Sequence, residues 1–309
     1  MPAWLFFPSG RAEEKRLKPA SFEYLAPSTF DEAVRLMAEH GDAARPLAGG
    51  QSLVALMNTR IIQPEVIIDL HRCPGLDAIE DNDGAVTISA MVRQSAAGAS
   101  RLVRERCPLL AAALPHVGGT ANRNRGTICG SLAHADPLAE LPCVAVALDA
   151  TFVIVGPRGR RSVAASAFFR SALSTAIEAD ELLRAVSFPA AKTGSRAAFV
   201  EIGRNRRHGF ALAGAAAQLQ LSEDGTCLSA RIALMGLGDI PIRWPEGETA
   251  LAGQRLTRGL LRDVAQQWAT GIEIRSDIHA SAEYRRTIAS TVVERALTEA
   301  GLVPAESAR

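Results

Sequence analysis

The hydrophobic pattern of the chain changes at about residue 190, and this change restricts the possible folds more than any other feature. Before it, short apolar runs alternate with helical segments, such as the segment between Thr29 and Gly41. After it, long apolar runs flank the hairpin signal Asp224-Gly225, and two helical segments follow. The sequence therefore predicts an α+β fold, with a mixed first part and an antiparallel meander in the second.

The composition is that of a folded globular protein without a polyanionic partner. The 309 residues are 48% hydrophobic, which is enough for a large core divided among two or three domains. The net charge of +1 argues against nonspecific binding to nucleic acid or to an anionic membrane, and no membrane insertion is predicted. The apolar patch Trp4–Phe7 is too short for a signal-peptide core, so we expect residues 1–17 to be a flexible extension.

The cysteines do not predict a metal site or a disulfide framework. There are five, widely spaced and without a C-x-x-C pair, which favours a reduced, cytoplasmic setting. No nucleophile–histidine–acid set is recognisable either. We therefore assign no catalytic residue and no metal ligand to this chain.

Two glycine-containing segments predict a phosphate site. A diphosphate must be met closely by backbone N–H groups, which a Cβ atom often keeps away. The segment Ala48–Ser52 (AGGQS) places two glycines between a predicted strand and a helical turn, and Thr127–Ser131 (TICGS) offers a second turn. Neither matches the G-x-G-x-x-G or GxxxxGK[ST] fingerprint. Together, the two segments could close on one ligand from opposite sides.

The combination of AGGQS with NRGTICGSLAHADPLAELP resembles the FAD-binding medium subunits of molybdenum hydroxylases, of the carbon monoxide dehydrogenase and xanthine dehydrogenase type. The resemblance runs from about residue 18 to about residue 302. It implies an FAD-binding domain of the vanillyl-alcohol-oxidase (PCMH) type at residues 18–190, built from two α/β subdomains. It also implies a C-terminal α+β domain of the CO dehydrogenase flavoprotein type at residues 191–309, with a small antiparallel sheet and helices.

The resemblance also implies which residues contact FAD. The first loop would wrap the diphosphate, the second would approach it from the other side, carboxylates downstream would reach the ribityl chain, and a later strand would pass the adenine. In that order the implied residues are Leu47, Ala48, Gly49, Gly50, Gln51, Ser52, Leu53, Val54, Thr127, Ile128, Cys129, Gly130, Ser131, His134, Asp136, Glu140, Leu183 and Arg184.

Several of these assignments have alternatives. Cys129 stands where the family usually has glycine; if that position needs a positive φ, Cys129→Gly should relieve strain and tighten FAD binding, whereas a rearranged loop would give the opposite result. Asp136 could instead cap a helix beginning at Pro137. His134 could be a local hydrogen-bonding group. The basic cluster Arg204–His208 reads as a solvated turn, or as an arginine source for a phosphate or an acidic partner.

By the resemblance, the chain is an electron-transfer subunit. It would take electrons from [2Fe–2S] clusters on a small subunit, which receive them from a molybdopterin cofactor on a large subunit, and pass them to an external acceptor. The implied assembly is a dimer of heterotrimers. Two alternatives remain open: a self-sufficient flavoprotein oxidase or dehydrogenase, and a structural subunit that binds a nucleotide without catalysis.

Overall fold

A computed structural model describes residues 18–203, 211–271, 274 and 280–301. The predicted extension at residues 1–17 and the basic cluster Arg204–His208 lie outside the described residues.

The first subdomain is a small parallel sheet with strand order β1-β3-β2. Its strands are β1 (Glu23–Leu25), β2 (Ala44–Leu47) and β3 (Val66–Asp69), and its helices are α1 (Phe30–His40) and α2 (Leu53–Asn58). Thr29 caps α1 by accepting the N–H of Glu32 at 3.1 Å, and Gly41 ends it at a φ of 50°. The predicted helix boundaries are therefore confirmed here, and the loop after β2 lies at the carboxyl end of the sheet.

The second subdomain is an antiparallel sheet, with helices inserted between two of its strands. The strand order is β4-β5-β10-β6-β7. The strands that precede and follow the helical insertion are β4 (Ile79–Asn82), β5 (Ala85–Ser89), β6 (Thr151–Gly156) and β7 (Gly159–Ala164). The helices are α3 (Gln94–Ala99), α4 (Arg101–Arg106), α5 (Pro108–Ala113), α6 (Thr120–Arg125), α7 (Ile128–His134), α8 (Glu140–Ala147) and α9 (Ala165–Phe168). The remaining strand of this sheet is β10 (Leu182–Pro189), and β8 (Phe169–Ser171) and β9 (Ser174–Thr175) form a separate two-stranded sheet.

The C-terminal part contains the predicted antiparallel meander. Its strands are β11 (Ser195–Gly203), β12 (Ala211–Leu221), β13 (Cys227–Met235) and β14 (Ile242–Arg243). Gly225 has a φ of 83°, as the predicted hairpin turn requires. The helices that follow are α10 (Pro245–Leu251), α11 (Arg258–Gly271) and α12 (Ala282–Gly301).

The meander is buried on both faces, which explains its small side chains. Along β12, Ala215 and Ala217 belong to a core shared with α11 and α12, whereas Ala216 belongs to the core of the second subdomain. Successive side chains of a strand point to opposite faces, so the two packing partners alternate along the sequence. Phe199 of β11 also lies in the second-subdomain core, so the two parts of the chain pack directly on each other. The predicted α+β class is confirmed.

Candidate functional site

The first glycine loop cannot carry a side chain at Gly49 because its backbone touches the two residues just before the second segment. A Cβ built on Gly49 would lie 2.5 Å from the carbonyl oxygen of Arg125 and 2.6 Å from the Cα of Gly126. The next residue, Gly50, has a φ of 73°, in the left-handed region that L side chains rarely adopt. The two glycines therefore meet two separate demands, close approach at the first and backbone conformation at the second.

The same loop presents a run of unpaired backbone donors. Within the described part of the chain, the N–H groups of residues 49–53 have no hydrogen-bond acceptor. Pairing begins only with the N–H of Val54, which donates to the carbonyl of Gly50 at 3.0 Å, and the N–H of Leu56, which donates to Ser52 at 3.1 Å. Successive free N–H groups at the start of a helix are a suitable site for phosphate oxygens.

The second segment differs from its prediction: it is the beginning of a helix rather than a turn. Thr127 caps α7, and its Oγ1 accepts the N–H of Gly130 at 3.0 Å. A Cβ on Gly130 would lie only 2.6 Å from that oxygen and 3.8 Å from the Cβ of Ala48. Glycine at this position therefore preserves the cap and brings α7 against the first loop.

Side chains from outside the predicted set connect the two segments. Asn122 of α6 donates from Nδ2 to Oε1 of Gln51 at 3.1 Å, and Nε2 of Gln51 donates to the carbonyl of Gly49 at 3.2 Å. The amide of Gln51 thus holds the first loop against α6. Arg93, just before α3, donates from its guanidinium to the carbonyl of Arg125. These contacts join residues far apart in sequence, so no local pattern signals them.

A buried carboxylate orients Arg93. The guanidinium contacts Nε2 of His71 at 2.8 Å, and Nδ1 of His71 contacts Oδ1 of Asp69, whose other oxygen accepts the Tyr24 hydroxyl. Although burial works in the opposite direction, the hydrogen bonds from Tyr24 and His71 hold the pKa of Asp69 below its ordinary value. Asp69 pairs with Leu47 at the end of the parallel sheet, so this network supports the loop at its origin.

Cys129 lies on the first turn of α7 and is only 3% exposed. Its φ is not positive, so the expectation of left-handed strain at this position is wrong. The Sγ atom lies 3.7 Å from the carbonyl oxygen of Ile88, and burial raises the pKa of the thiol to about 12. Cys129 is therefore a neutral, packed side chain beneath the second segment.

From this geometry, Cys129→Gly should destabilise the protein. The substitution removes a buried side chain, and glycine also has a low helix propensity because its backbone loses more conformational entropy on folding. We therefore expect the free energy of unfolding to fall by about 2 kcal/mol. FAD binding should weaken or stay unchanged. Urea unfolding and FAD titration measure both effects, and Cys129→Ala is the control because it keeps the Cβ. Tighter FAD binding by the glycine variant would contradict the helical placement.

The carboxylates downstream occupy different environments. Oδ1 of Asp136 accepts the N–H of Leu138 at 2.9 Å within a turn, and α8 begins at Glu140, so the alternative of a helix beginning at Pro137 is wrong. Glu140 is partly buried, and this burial raises its pKa to about 7. Burial lowers the pKa of His134, in the last turn of α7, which favours the neutral imidazole at neutral pH.

A β-bulge marks the predicted adenine-contacting strand. The register between β10 and β6 shifts between Leu183 and Ala185, so Arg184 interrupts the ladder. The guanidinium of Arg184 donates to the carbonyl of Gly75 at 2.9 Å and lies 5.3 Å from the ring centroid of Phe30. The carbonyl of Arg184 accepts the N–H of Ala90 at 3.0 Å, so both the side chain and the carbonyl of this residue are occupied within the fold.

The described residues also bear on metal binding and membrane insertion. No group of three or more histidine, cysteine, aspartate or glutamate side chains within the described ranges is arranged to hold a metal ion. Of the helices that the structure describes, none has the length and hydrophobicity needed to cross a bilayer.

Comparison with known proteins places these features in a family. The family profile described as the FAD binding domain in molybdopterin dehydrogenase matches residues 20–191. The profile described as the CO dehydrogenase flavoprotein C-terminal domain matches residues 197–300. Together, these ranges include both glycine segments, the bulged strand and all but the first two residues of the meander.

Individual relatives match along nearly their whole length. The chain is 38% identical to the 6-hydroxypseudooxynicotine dehydrogenase complex subunit alpha of Paenarthrobacter nicotinovorans, covering 92% of this chain and 96% of the relative. It is 35% identical to the carbon monoxide dehydrogenase medium chain of Hydrogenophaga pseudoflava, covering 91% and 98%. A chain of quinoline 2-oxidoreductase from Pseudomonas putida 86 superposes with a TM-score of 0.86 at 34% identity, covering 92% and 98%. The chain therefore belongs to the family of FAD-binding medium subunits of molybdenum hydroxylases.

Proposed function

We propose that this chain binds FAD between residues 47–54 and 127–131 and transfers electrons from a partner's iron–sulfur clusters to an external acceptor. The observation that carries the proposal is the run of free N–H groups at residues 49–53, in a loop that touches the chain just before the capped start of α7. This donor set fits a diphosphate. When bound, FAD supplies the capacity to accept and release electrons.

The residues of the chain would bind and orient the cofactor. The free N–H groups of the first loop would neutralise phosphate charge, and the Gln51–Asn122 contact would keep the loop closed against α6. Glu140 and Asp136 are proposed to reach the ribityl chain, His134 to lie near the flavin, and the backbone at Leu183 or Arg184 to contact the adenine. Ser52 and Ser131 would add hydroxyl donors. We further propose that residues 18–190 and 191–309 form the two domains.

The partners follow from the family. Its members function within multi-subunit complexes, and the similar proteins include a complex subunit alpha and medium chains. We propose an iron–sulfur small subunit and a molybdopterin large subunit as partners, arranged as a cytoplasmic dimer of heterotrimers. The five cysteines of this chain are all buried and unpaired within the described residues, which supports placing the clusters on another subunit.

We expect the isolated chain to bind one FAD noncovalently and to be unable to oxidise the organic substrate of the complex. In the absence of oxygen, the substrate should reduce the flavin, seen as loss of its visible absorbance, only when the iron–sulfur and molybdenum subunits are added. Stopped-flow absorbance with and without the partners measures this dependence, after acid denaturation has shown FAD free in the supernatant.

The same measurements separate the alternatives. Full-rate bleaching by the chain alone would favour a self-sufficient oxidase or dehydrogenase. Bound FAD that neither substrate with partners nor a chemical reductant can bleach would favour a structural nucleotide-binding subunit. Reducing the small subunit separately, before mixing, is the control that distinguishes a failure of electron transfer from a failure of substrate oxidation.

A further inference from the structure

Three titratable side chains lie on elements that pack together where the FAD-binding part meets the C-terminal sheet. His116 ends the turn at residues 114–116, Glu140 is the first residue of α8, and Glu201 lies on β11. Nδ1 of His116 lies 3.4 Å from Oε1 of Glu201, and the imidazole packs on the Phe199 ring at a centroid distance of 5.2 Å. Both side chains of the pair are about two-thirds or more buried, with 34% and 22% exposure. We call these three residues the junction cluster.

The junction cluster is connected to the glycine loops through one short helix. Arg123 of α6 donates to three carbonyl oxygens of the segment 115–118, at distances of 2.6–3.3 Å. The neighbouring residue Asn122 makes the contact to Gln51 in the first glycine loop. The position of His116 is therefore fixed by the same helix that fixes the proposed diphosphate site.

Neighbouring charges and burial act in opposite directions on the pKa values of the junction cluster. The pKa of Glu140 is raised to about 7, chiefly by burial and also by the charges of Glu201 and Asp136, while a backbone hydrogen bond and His116 work in the opposite direction. The hydrogen bond to Glu201 raises the pKa of His116 against the effect of burial, with added contributions from the charges of Glu140 and Glu299. Among the described residues, Oε2 of Glu201 is buried without a hydrogen-bond partner. Near neutral pH Glu140 can therefore change protonation, while the contact with Glu201 favours the protonated form of His116.

We propose that His116, Glu140 and Glu201 form a proton-holding cluster that takes up a proton from water when FAD bound at the neighbouring loops is reduced. This role rests on the FAD-binding function proposed above. Iron–sulfur clusters deliver electrons singly and without protons, whereas FAD gains two electrons and one or two protons on full reduction. Added negative charge favours the neutral form of a nearby carboxyl group, so an ionised Glu140 would bind a proton as the cofactor becomes reduced.

Two substitutions should move this proton uptake in opposite directions. Glu201→Gln removes a negative charge that favours protonated Glu140. The pH range in which the cluster binds a proton on FAD reduction should therefore move to lower pH. His116→Gln removes a positive charge that favours ionised Glu140, so the range should move to higher pH. A purely structural role for the pair would not produce shifts of opposite sign.

The experiment uses the full chain loaded with FAD. Dithionite reduces the flavin anaerobically in weak buffer between pH 5.5 and 8.5, and a calibrated indicator dye measures the protons taken up per flavin. After subtraction of the protons released by dithionite oxidation, the two variants should show displaced maxima, on either side of wild type. Glu140→Gln should lose roughly one titrating proton across the same range. Glu105→Gln, which alters an exposed ion pair on α4, is the matched control and should reproduce wild type.

The outcomes are distinct. FAD-loaded variants with wild-type proton uptake, or with shifts in the same direction, would overturn the cluster while leaving the FAD function intact. Loss of FAD from both His116→Gln and Glu201→Gln would also overturn it, because the pair would then be part of the cofactor-binding structure. A wild-type chain that binds no FAD would contradict the proposed function itself, and the cluster's role with it.

Discussion

Replacing Gly49 with alanine is expected to lower FAD affinity about a hundredfold, equivalent to ~2.7 kcal/mol. The added Cβ would lie 2.5 Å from the Arg125 carbonyl oxygen and 2.6 Å from the Gly126 Cα, and neither backbone atom can move aside as a flexible side chain could. The two glycine segments must separate, which displaces the free N–H groups from the second segment. Fluorescence titration of apo-protein with FAD measures the loss.

A second glycine provides the control for this substitution. Gly98 lies in α3, and a Cβ there would have its nearest neighbour at 4.0 Å, in the Leu114 side chain. Gly98→Ala should therefore preserve FAD binding and slightly increase thermal stability. If Gly49→Ala and Gly98→Ala bound FAD equally well, the close contact between the segments would have no part in the site.

Gly50→Val should weaken FAD binding at least tenfold, while the protein remains folded. The φ of 73° costs an L residue about 1–2 kcal/mol, and a branched side chain makes the restriction worse. A Cβ at this position also lies 3.2 Å from Cγ2 of Val54 and 3.3 Å from Cδ1 of Leu47, so the loop must change shape at the proposed phosphate contact. FAD titration and thermal unfolding, measured together, report the two consequences.

The matched control for Gly50 separates the effect of backbone strain from the effect of a change at the proposed phosphate contact. Gly84 has a φ of 89° in the hairpin between β4 and β5, and a Cβ there meets no atom within 4 Å. Gly84→Val should lower stability through the same kind of strain, while FAD affinity stays at the wild-type value. Equal loss of FAD affinity in both valine variants would mean that general destabilisation, rather than loop geometry, explains the effect.

The elements of the fold were predictable where the signal is local. Periodicity and turn residues between Thr29 and Gly41, and at Asp224-Gly225, specify a helix and a hairpin without help from distant residues. The start of α7 was missed because glycines surround it. A signal was nevertheless present, since Ile128 and Leu132 have helical spacing behind a threonine that can cap.

The candidate site was only partly predictable, for a different physical reason. The glycine loops are recognisable because their chemistry depends on missing side chains, which the sequence records directly. The support provided by Arg93 and Asn122 depends on contacts across 32 and 71 residues. His116 meets Glu201 across a domain junction, so no spacing rule could pair them. The backbone conformation of Cys129 likewise follows from its helix rather than from the family's usual residue.

The meander is buried on one face by the second subdomain and on the other by α11 and α12, and this limits where the chain can be cut into separately folding fragments. A cut near residue 190 follows the change in the sequence pattern, yet it would expose Phe199 and Ala216 on one side and residues of the same core, such as Leu114 and Leu141, on the other. Neither fragment would keep a complete core. We therefore expect the flavin-binding part and the C-terminal part to fold and unfold as one unit, so that a substitution in their shared core lowers the stability of both.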